Sequence, residues 1–479
     1  MKTLLDICVD HSVDSLRELV PCNSIFKFAK SRSRLKFSNN KEKGSVPIVR
    51  YKGKVGPTIT LEDLPEYKDL SIVGIDLTGS EARATGWCHF LFNEAVTKRI
   101  NTDDDIIYET LKSKPDVISI DSPLSMPAGR RSVFDDDPGR KEFGIMRVCE
   151  RILKQRGVHV YPSLIPSMQR LTQRGIYLAD RFRKLGIAVI ESYPGAAQDI
   201  LGIPRKRASM EYLRKGLRDF GIKGGFLKKE VSHDELDAIT SAMLGYFFWC
   251  GKFEALGNEE EDYLIIPDID KTFPEWKEKI VIGFSGSLAA GKTTAAKYLE
   301  SKGYGYGRLG MVIEKLVEDE GKKSTRKNLQ KMGDYVNEVL GQRWLCKNLI
   351  DRFLSNQKLI VIDGLRFPED HAFMKERFGP HFLHVHLVCN DGIRKKRYAK
   401  LKRNDVPFEE ASSHHVERAV SELFNLADTV IVNDESFRSL YARLDNLLKN
   451  IRLCQYPLSS VDNLVQKAKA KQLISSQNS

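Results

Sequence analysis

The sequence lacks the features of a membrane protein or a disulfide-rich secreted one. No apolar run in its 479 residues is long enough to span a bilayer. The opening MKTLLDICVDHSVDSL carries acids inside its apolar stretch and makes a poor signal sequence, so a cytoplasmic protein with no membrane partner is expected. The eight cysteines are scattered and none forms a Cys-x-x-Cys pair, which excludes the usual zinc-ribbon spacing. Reduced, mostly buried thiols are the expectation. There is no internal repeat and no low-complexity tract.

What is present describes a soluble globular chain. Hydrophobic residues make up 41% and charged ones 29%, and the length predicts two or three domains. The net charge of +12 favours polyanionic partners without naming one. Part of the excess sits between Asn23 and Lys54, where ten Lys/Arg face the single acid Glu42, with Phe26, Phe28, Phe37 and Tyr51 interleaved. Cations neutralise phosphates and rings stack on bases, so this segment is a candidate nucleic-acid contact.

Two tracts of short β-branched runs alternate with helical ones, which predicts α/β architecture. SIVGID (71–76), DVISIDSP (116–123) and AVIESYP (188–194) read as buried strands of the first tract, and SHDELDAITSAMLGYFF (232–248) as its last helix. GNEEEDYLIIPDIDKTFPEWKEK (257–279) reads as a domain end and linker. KIVIGFSG (279–286), KLIVIDGL (358–365), FLHVHLVC (382–389) and DTVIVND (428–434) are the strands of the second tract. The expected division is a basic segment 1–69, a domain 70–268, a linker 269–278, a domain 279–455 and a polar tail 456–479 that is a loose helix or disordered.

The strongest motif is GSLAAGKTT. Gly286 and Gly291 bracket four residues, and Lys292 and Thr293 follow. A strand precedes it and a helix follows, as a phosphate-binding loop requires. Backbone N–H groups of Gly286, Ser287, Ala289, Ala290, Gly291 and Thr294, with the helix N-terminus, are expected to face the phosphates of ATP. Lys292 would reach the β/γ-phosphates and Thr293 would hold Mg²⁺. Asp363 ends the strand LIVID and is followed by Gly364, not by a second acid, which tilts the expectation from ATP hydrolysis towards transfer to a bound acceptor. Arg394, Arg397 and Arg403 are expected in a lid over the nucleotide.

Lys279 to about Ile451 resembles the P-loop kinases of the nucleoside-monophosphate and dephospho-coenzyme-A kinase group. The resemblance rests on GSLAAGKTT, STRKNLQKMGDYVNEVLGQRW (324–344), IDGLRFPEDHAFMKERFG and LADTVIVND. It implies a nucleotide substrate, an acceptor-binding region that includes Arg326 and Gln330, and Arg366 near the phosphates. Relatives often carry an Arg where Asn337 stands.

The first tract carries acids where apolar strands make them costly unless paired or bound to a cation. Asp76 ends one strand, Asp121 ends another, and Glu191 lies in a third; Asp234 and Asp237 share a helix face at i, i+3. Convergence of such a set would bind one or two Mg²⁺ (or Mn²⁺) ions, which prefer carboxylate oxygens. In VGIDLTGS, IDSPLSMP, RVCERILKQRGVHVYPS, IESYPGAAQDILG and SHDELDAITSAMLGY the sequence resembles the RNase H-like superfamily. More closely, it resembles the predicted nucleases of domain-of-unknown-function family 429. The resemblance implies an RNase H-like mixed sheet and a metal site of Asp76, Asp121, Glu191 and Asp237, with Asp234 and His233 close by and Arg147 and Glu150 lining the cleft.

FDDDPGRKE (134–142) is expected as a flexible loop over that cleft, HHVER (414–418) as a helix start, and His384 and His386 as a packed pair on one strand side. The combined reading is a metal-dependent nuclease fused to a nucleotide kinase, in nucleic-acid or nucleotide metabolism or defence. Two others stay open: a small-molecule kinase with a non-cutting scaffold, and a nucleotide sensor without turnover.

Overall fold

The computed structural model describes residues 50–51, 54–55, 57, 59–206, 209–268, 279–400, 407–412, 415–452 and 461–477. Almost all of the basic segment 23–54, the linker 269–278 and Arg403 therefore lie outside the described residues. The chain divides into two compact units, Met1–Phe182 with Ala188–Pro274, and Arg183–Ile187 with Glu275–Ser479.

In the first unit, β1 (Ser71–Asp76), β2 (Thr85–Leu91) and β3 (Glu94–Ile100) form an antiparallel meander. On the other side of β1 lie β4 (Val117–Asp121) and β5 (Ala188–Ser192), both parallel to the sheet's centre. A two-residue β6 (Lys223–Gly224) and the hairpin of β7 (Phe253–Asn258) and β8 (Asp262–Pro267) complete eight strands in the order β6-β3-β2-β1-β4-β5-β8-β7. Strand β1 is buried along its whole length, which explains why SIVGID reads as a continuous apolar run and not as an alternation. In the hairpin Leu264 and Ile265 pair with Glu191 and Ser192, so YLIIP, at the end of the expected domain 70–268, is a sheet strand. The helices are α1 (Asp103–Lys112), α2 (Val148–Gln155), α3 (Pro166–Lys184), α4 (Pro194–Leu201), α5 (Met210–Phe220) and α6 (His233–Trp249), shorter turns aside.

Helix α6 is the core element of this unit. Every residue from Glu235 to Trp249 is buried. Ser232 caps it through a reciprocal box: its Oγ accepts the Glu235 N–H at 3.3 Å, and Glu235 Oε2 accepts the Ser232 N–H at 2.9 Å. Glycines let α6 lie directly on the sheet. A Cβ on Gly74 would sit 2.1 Å from the Ala238 carbonyl oxygen, and one on Gly86 2.0 Å from that of Asp234. Because the obstructing atoms are helix backbone, Gly74→Ala should destabilise this unit by about 3 kcal/mol, the upper end of overpacking costs. Thermal melting of the variant checks this; an unchanged midpoint would show that α6 can lift without cost.

The second unit is a five-stranded parallel sheet in the order β10-β11-β9-β12-β13, made of β9 (Ile280–Gly286), β10 (Gly305–Gly307), β11 (Leu359–Asp363), β12 (Phe382–Val388) and β13 (Thr429–Val432). Connecting and covering it are α7 (Lys292–Ser301), α8 (Leu309–Asp319), α9 (Arg326–Tyr335), α10 (Gly341–Phe353), α11 (Pro368–Phe378), α12 (Asp391–Ala399), α13 (His415–Leu426) and α14 (Phe437–Arg452). The tail is ordered where described. Helix α15 (Val461–Gln477) buries Ala470 against Val388 and Val430, and Gln466 Oε1 accepts the Val432 N–H at 3.3 Å.

Candidate functional site

The register of β1 and β4 puts Asp76 directly beside Asp121 at the carboxyl ends of both strands. Helix α6, seated on Gly74 and Gly86, brings Asp234 and Asp237 to the same place. Ligand atoms of Asp76, His233 and Asp234 lie within 4.8 Å of one another. Asp76 is nine-tenths buried, and its Oδ2 has no hydrogen-bond partner. Burial raises the Asp76 pKa well above the carboxylate range, and Asp121 and Asp237 raise it further. Burial, then Asp237, pushes Asp121 up to about 8.

A residue that sequence reasoning missed sits in this cluster. Lys206 donates its Nζ to Asp237 Oδ2 at 2.8 Å and lies 3.4 Å from His233 Nδ1. Burial works against its charge, but Asp237, with Asp76 and Asp121, outweighs burial and raises its pKa. Nothing in IPRKRAS distinguished Lys206 from its basic neighbours. Gln198 Nε2 donates to Asp237 Oδ1 at 2.8 Å and fixes the carboxylate plane.

Glu191 departs from the expected ligand role. Its two oxygens accept both arms of Arg147, at 2.7 and 2.5 Å, and Oε2 also accepts the Leu124 N–H at 2.7 Å. A carboxylate so paired in the interior has its charge already compensated. Arg147 and Glu150 also pair, at 3.0 Å, and both are buried. They brace the strands behind the acids and do not line an open cleft. Asp135 pairs with Arg140 and Asp137 is buried, so FDDDPGRKE is a built loop and not a loose one. Burial disfavours the Asp137 charge, but N–H groups of Ser132, Gly139 and Arg131 with the Arg130 guanidinium outweigh it and hold its carboxyl below the usual range. Glu235 belongs to the helix cap, and Thr97 Oγ1 donates to it at 2.9 Å.

The residues fit a hard divalent cation: several carboxylates, one orphaned buried oxygen and no thiol. Asp76, Asp234 and His233 offer ligand atoms close enough to share it, with Asp121 and Asp237 beside them.

In the second unit, GSLAAGKTT folds as a loop from β9 into α7. Gly286, Ala289 and Gly291 have φ of +135°, +61° and +107°. A Cβ on Gly286 would lie 2.3 Å from the Leu387 carbonyl oxygen, and one on Gly291 2.3 Å from Asn433 Nδ2, so both positions require glycine. Asn433 Nδ2 also donates to the Ala290 carbonyl at 2.8 Å. Lys292 Nζ donates to the Gly286 and Ser287 carbonyls at 2.5 and 3.0 Å. Thr293 is exposed on the first turn of α7, with Thr294 beside it. Asp363 is buried at the end of β11 and accepts the Tyr306 hydroxyl at 2.7 Å. This loop and acid fit a Mg²⁺-bound nucleoside triphosphate, with Lys292 and Thr293 as its holders.

The arginines divide. Arg394 is buried; it pairs with Asp391 and donates to the Leu288 carbonyl at 3.2 Å, so it braces the phosphate loop where a swinging lid was expected. Arg397 donates to Cys389 Sγ at 3.3 Å. Arg366 is exposed, and only its backbone N–H is engaged among the contacts described, with Asp370 at 2.8 Å. Gln330 is exposed on α9.

Beneath the loop runs a chain sequence reasoning saw only as a packed pair. His371 Nδ1 lies 3.0 Å from His384 Nδ1, His384 Nε2 2.6 Å from Ser285 Oγ, and Ser285 Oγ 2.8 Å from His386 Nδ1. Burial lowers the pKa of all three histidines; for His386 burial and then Lys292 take it to about 3. Between these values and about 6.5 the unfolded chain binds protons that the folded chain excludes. Their contribution is fully present above pH 6.5 and is lost as pH falls, by up to about 1.4 kcal/mol per pH unit for each histidine. Urea melts of the second unit's transition from pH 7.5 to 5 should show this steep loss; a flat profile would contradict it.

The second unit thus has the parallel sheet and phosphate loop of a P-loop, kinase-like domain. Residues 282–417 match the family profile described as an AAA domain. A UPF0200/UPF0201 protein of Archaeoglobus fulgidus is 25% identical over 205 residues, which is 40% of this chain and 64% of that protein. A UPF0200 protein of Thermococcus onnurineus is 26% identical over 181 residues, 36% of this chain and 96% of that one. Among solved structures, a dephospho-CoA kinase from Campylobacter jejuni is 15% identical, covering 36% of this chain and 96% of its own, with a TM-score of 0.26. A shikimate kinase from Acinetobacter baumannii in complex with shikimate is 18% identical, covering 37% and 97%, also at 0.26. At these scores the structural likenesses carry no functional argument.

Proposed function

We propose that the chain carries two phosphate chemistries: divalent-metal-dependent phosphodiester hydrolysis by an RNase H-like domain, about 70–268, and ATP-dependent phosphoryl transfer by the domain of about 279–455. The first reading is carried by one observation, the buried, unpartnered Oδ2 of Asp76 among Asp121, Asp234 and Asp237. Further support comes from the strand order, an antiparallel meander continued by two parallel strands with a final helix returning an acid to the centre. When bound, the metal supplies an activated water and neutralises charge on the phosphate. Asp76, Asp234 and His233 would hold it with Asp121 and Asp237 alongside, Gln198 orients Asp237, and the Arg147–Glu191 pair keeps the strands in register. Lys206 neutralises Asp237 and is placed to move onto a substrate phosphate.

In the kinase-like domain, bound Mg²⁺–ATP supplies the phosphoryl group. Lys292 orients the β/γ-phosphates and Asp363 completes the polar floor beside them. Gly364 stands where a second acid would activate water, so the reading favours a bound acceptor over hydrolysis, with a nucleoside monophosphate as the acceptor class.

The test uses the full chain. Labelled DNA and RNA are incubated with Mn²⁺, and ATP with a panel of nucleoside monophosphates and dephospho-coenzyme A. Metal-dependent cleavage together with acceptor-dependent ATP consumption is expected. Intact nucleic acid would remove the first half of the proposal; slow ATP hydrolysis indifferent to every acceptor would replace the second with a nucleotide sensor.

A further inference from the structure

In the second unit, Asp363 is buried at the end of β11, and its Oδ2 accepts the Tyr306 hydroxyl at 2.7 Å. Among the described residues no other side chain hydrogen-bonds to this carboxylate. We infer that Tyr306 is a positioning residue of the phosphate site: it fixes one oxygen of Asp363 and leaves the other, with the full negative charge, for the cation of a metal-bound nucleotide, so that the site prefers Mg²⁺–ATP to the metal-free anion. The inference rests on the nucleotide reading above and adds a residue that sets its specificity.

A short edge strand builds the contact. In β10 a glycine stands on each side of Tyr306. A Cβ on Gly305 would sit 2.4 Å from Gln357 Cγ, and one on Gly307 2.6 Å from Leu354 Cδ1, so the strand lies close against the turn that leads into β11. Tyr306 pairs with Val361, and Asp363 stands two residues further along β11. Side chains two apart share a face of a strand, so ring and carboxylate meet on one side of the sheet. The ring is also held from α7, the helix that the phosphate loop opens: Lys297 Nζ lies 3.7 Å from its centroid. The Gly364 and Leu365 N–H groups donate to the Phe284 carbonyl at 3.1 and 2.8 Å, and a Cβ on Gly364 would lie 3.9 Å from Lys292 Cε. The chain just after the acid therefore runs beside the lysine of the loop.

The chemistry of the partner carries the argument. A phenol orients a carboxylate without cancelling its charge. The buried acids Glu191 and Asp137 have guanidinium partners in Arg147 and Arg130, which compensate them. Asp363 has no such partner among the described residues, and Lys292 gives its Nζ to the Gly286 and Ser287 carbonyls. Burial, then the hydrogen bond to Asp363, raises the Tyr306 pKa, so the hydroxyl keeps its proton and stays a donor. An uncancelled carboxylate beside the phosphates repels a bare triphosphate and is compensated when a divalent cation arrives with it.

The experiment measures equilibrium binding of ATP to the full chain, in Mg²⁺ and in EDTA, for wild type, Tyr306→Phe, Asp363→Asn and the double variant. Phenylalanine keeps the ring that Lys297 covers and removes only the donor. Wild type should bind ATP more tightly in Mg²⁺. Tyr306→Phe should lose about tenfold of that preference, the size expected for one hydrogen bond to a charged group, with metal-free ATP bound as before. Asp363→Asn should lose the preference, and Tyr306→Phe added to it should change nothing further. Equal weakening in Mg²⁺ and in EDTA would show a merely structural tyrosine and overturn the inference. So would full additivity in the double variant, or a wild type indifferent to Mg²⁺. If wild type prefers Mg²⁺–ATP and Tyr306→Phe is silent, the nucleotide reading stands and this inference falls. If wild type binds no ATP in either condition, the nucleotide reading falls and this inference falls with it.

Discussion

Lys292→Ala should lower acceptor-dependent phosphoryl transfer from ATP by about 10²–10³-fold, the usual cost of deleting a preorganised charged donor to the transferring group. The size follows from the loop's construction. Gly286 and Gly291 adopt backbone angles and close approaches that only glycine tolerates, and Asn433 and Arg394 brace the loop from outside. The backbone cradle should therefore survive the substitution, so nucleotide affinity should fall far less than turnover. Lys292 Nζ is hydrogen-bonded to its own loop, at Gly286 and Ser287, so its removal takes that donor from two carbonyls. The paired measurements are steady-state transfer and equilibrium ATP binding. Equal losses in both would mean that Lys292 only binds, and unaltered turnover would remove it from the chemistry.

Asp76→Asn should do two things of opposite sign. It should abolish divalent-cation binding in the first unit, and it should raise that unit's thermal stability. Asp76 and Asp121 have pKa values raised above their unfolded values, first by burial and then by neighbouring carboxylates. Between the unfolded value near 4 and the folded value, about 8 for Asp121, the folded state binds more protons than the unfolded state. Stability therefore falls as pH rises through that window, and at pH 7 the cluster opposes folding. Asparagine, neutral in the folded and unfolded chain alike, escapes this penalty and should return about 2 kcal/mol, or roughly 5 °C in melting temperature. Saturating Mn²⁺ should stabilise the wild type, by about 2.7 kcal/mol at a hundred times its Kd, and leave the variant unmoved. Calorimetry with and without Mn²⁺ decides: a variant that melts lower and still responds to Mn²⁺ would refute both halves.

Much of this was legible in the sequence, and the gaps have physical reasons. Strands β1, β4, β9, β11 and β12 are buried on both faces, and continuous apolar runs betray such strands. Strands β2 and β3 mix polar and apolar positions, so TGWCHFL and EAVTKRI gave no clear period. Asp237 stood out because helix capping accounted for Ser232 and Glu235 but not for it, and the structure puts it on Lys206 and Gln198. Glu191 was read as a ligand because an acid in an apolar strand needs a counter-charge; the counter-charge is Arg147, and no local spacing announces a pairing 44 residues away. Lys206 left no signal at all, because a lysine in a basic loop acquires meaning only where the fold sets it among acids. Gly74 and Gly86 likewise look like ordinary strand glycines until α6 is seen resting on them.

The central claim is that the orphaned oxygen of Asp76, with Asp121, Asp234 and Asp237 around it, marks a divalent-cation site. Crystals of the full chain grown with Mn²⁺ and measured at the manganese absorption edge test it most directly. The account predicts an anomalous peak about 2.1 Å from oxygens of Asp76 and Asp237, with the Lys206 amino group displaced from Asp237. Crystals in which Lys206 still donates to Asp237 and no peak lies within reach of Asp76 would contradict it.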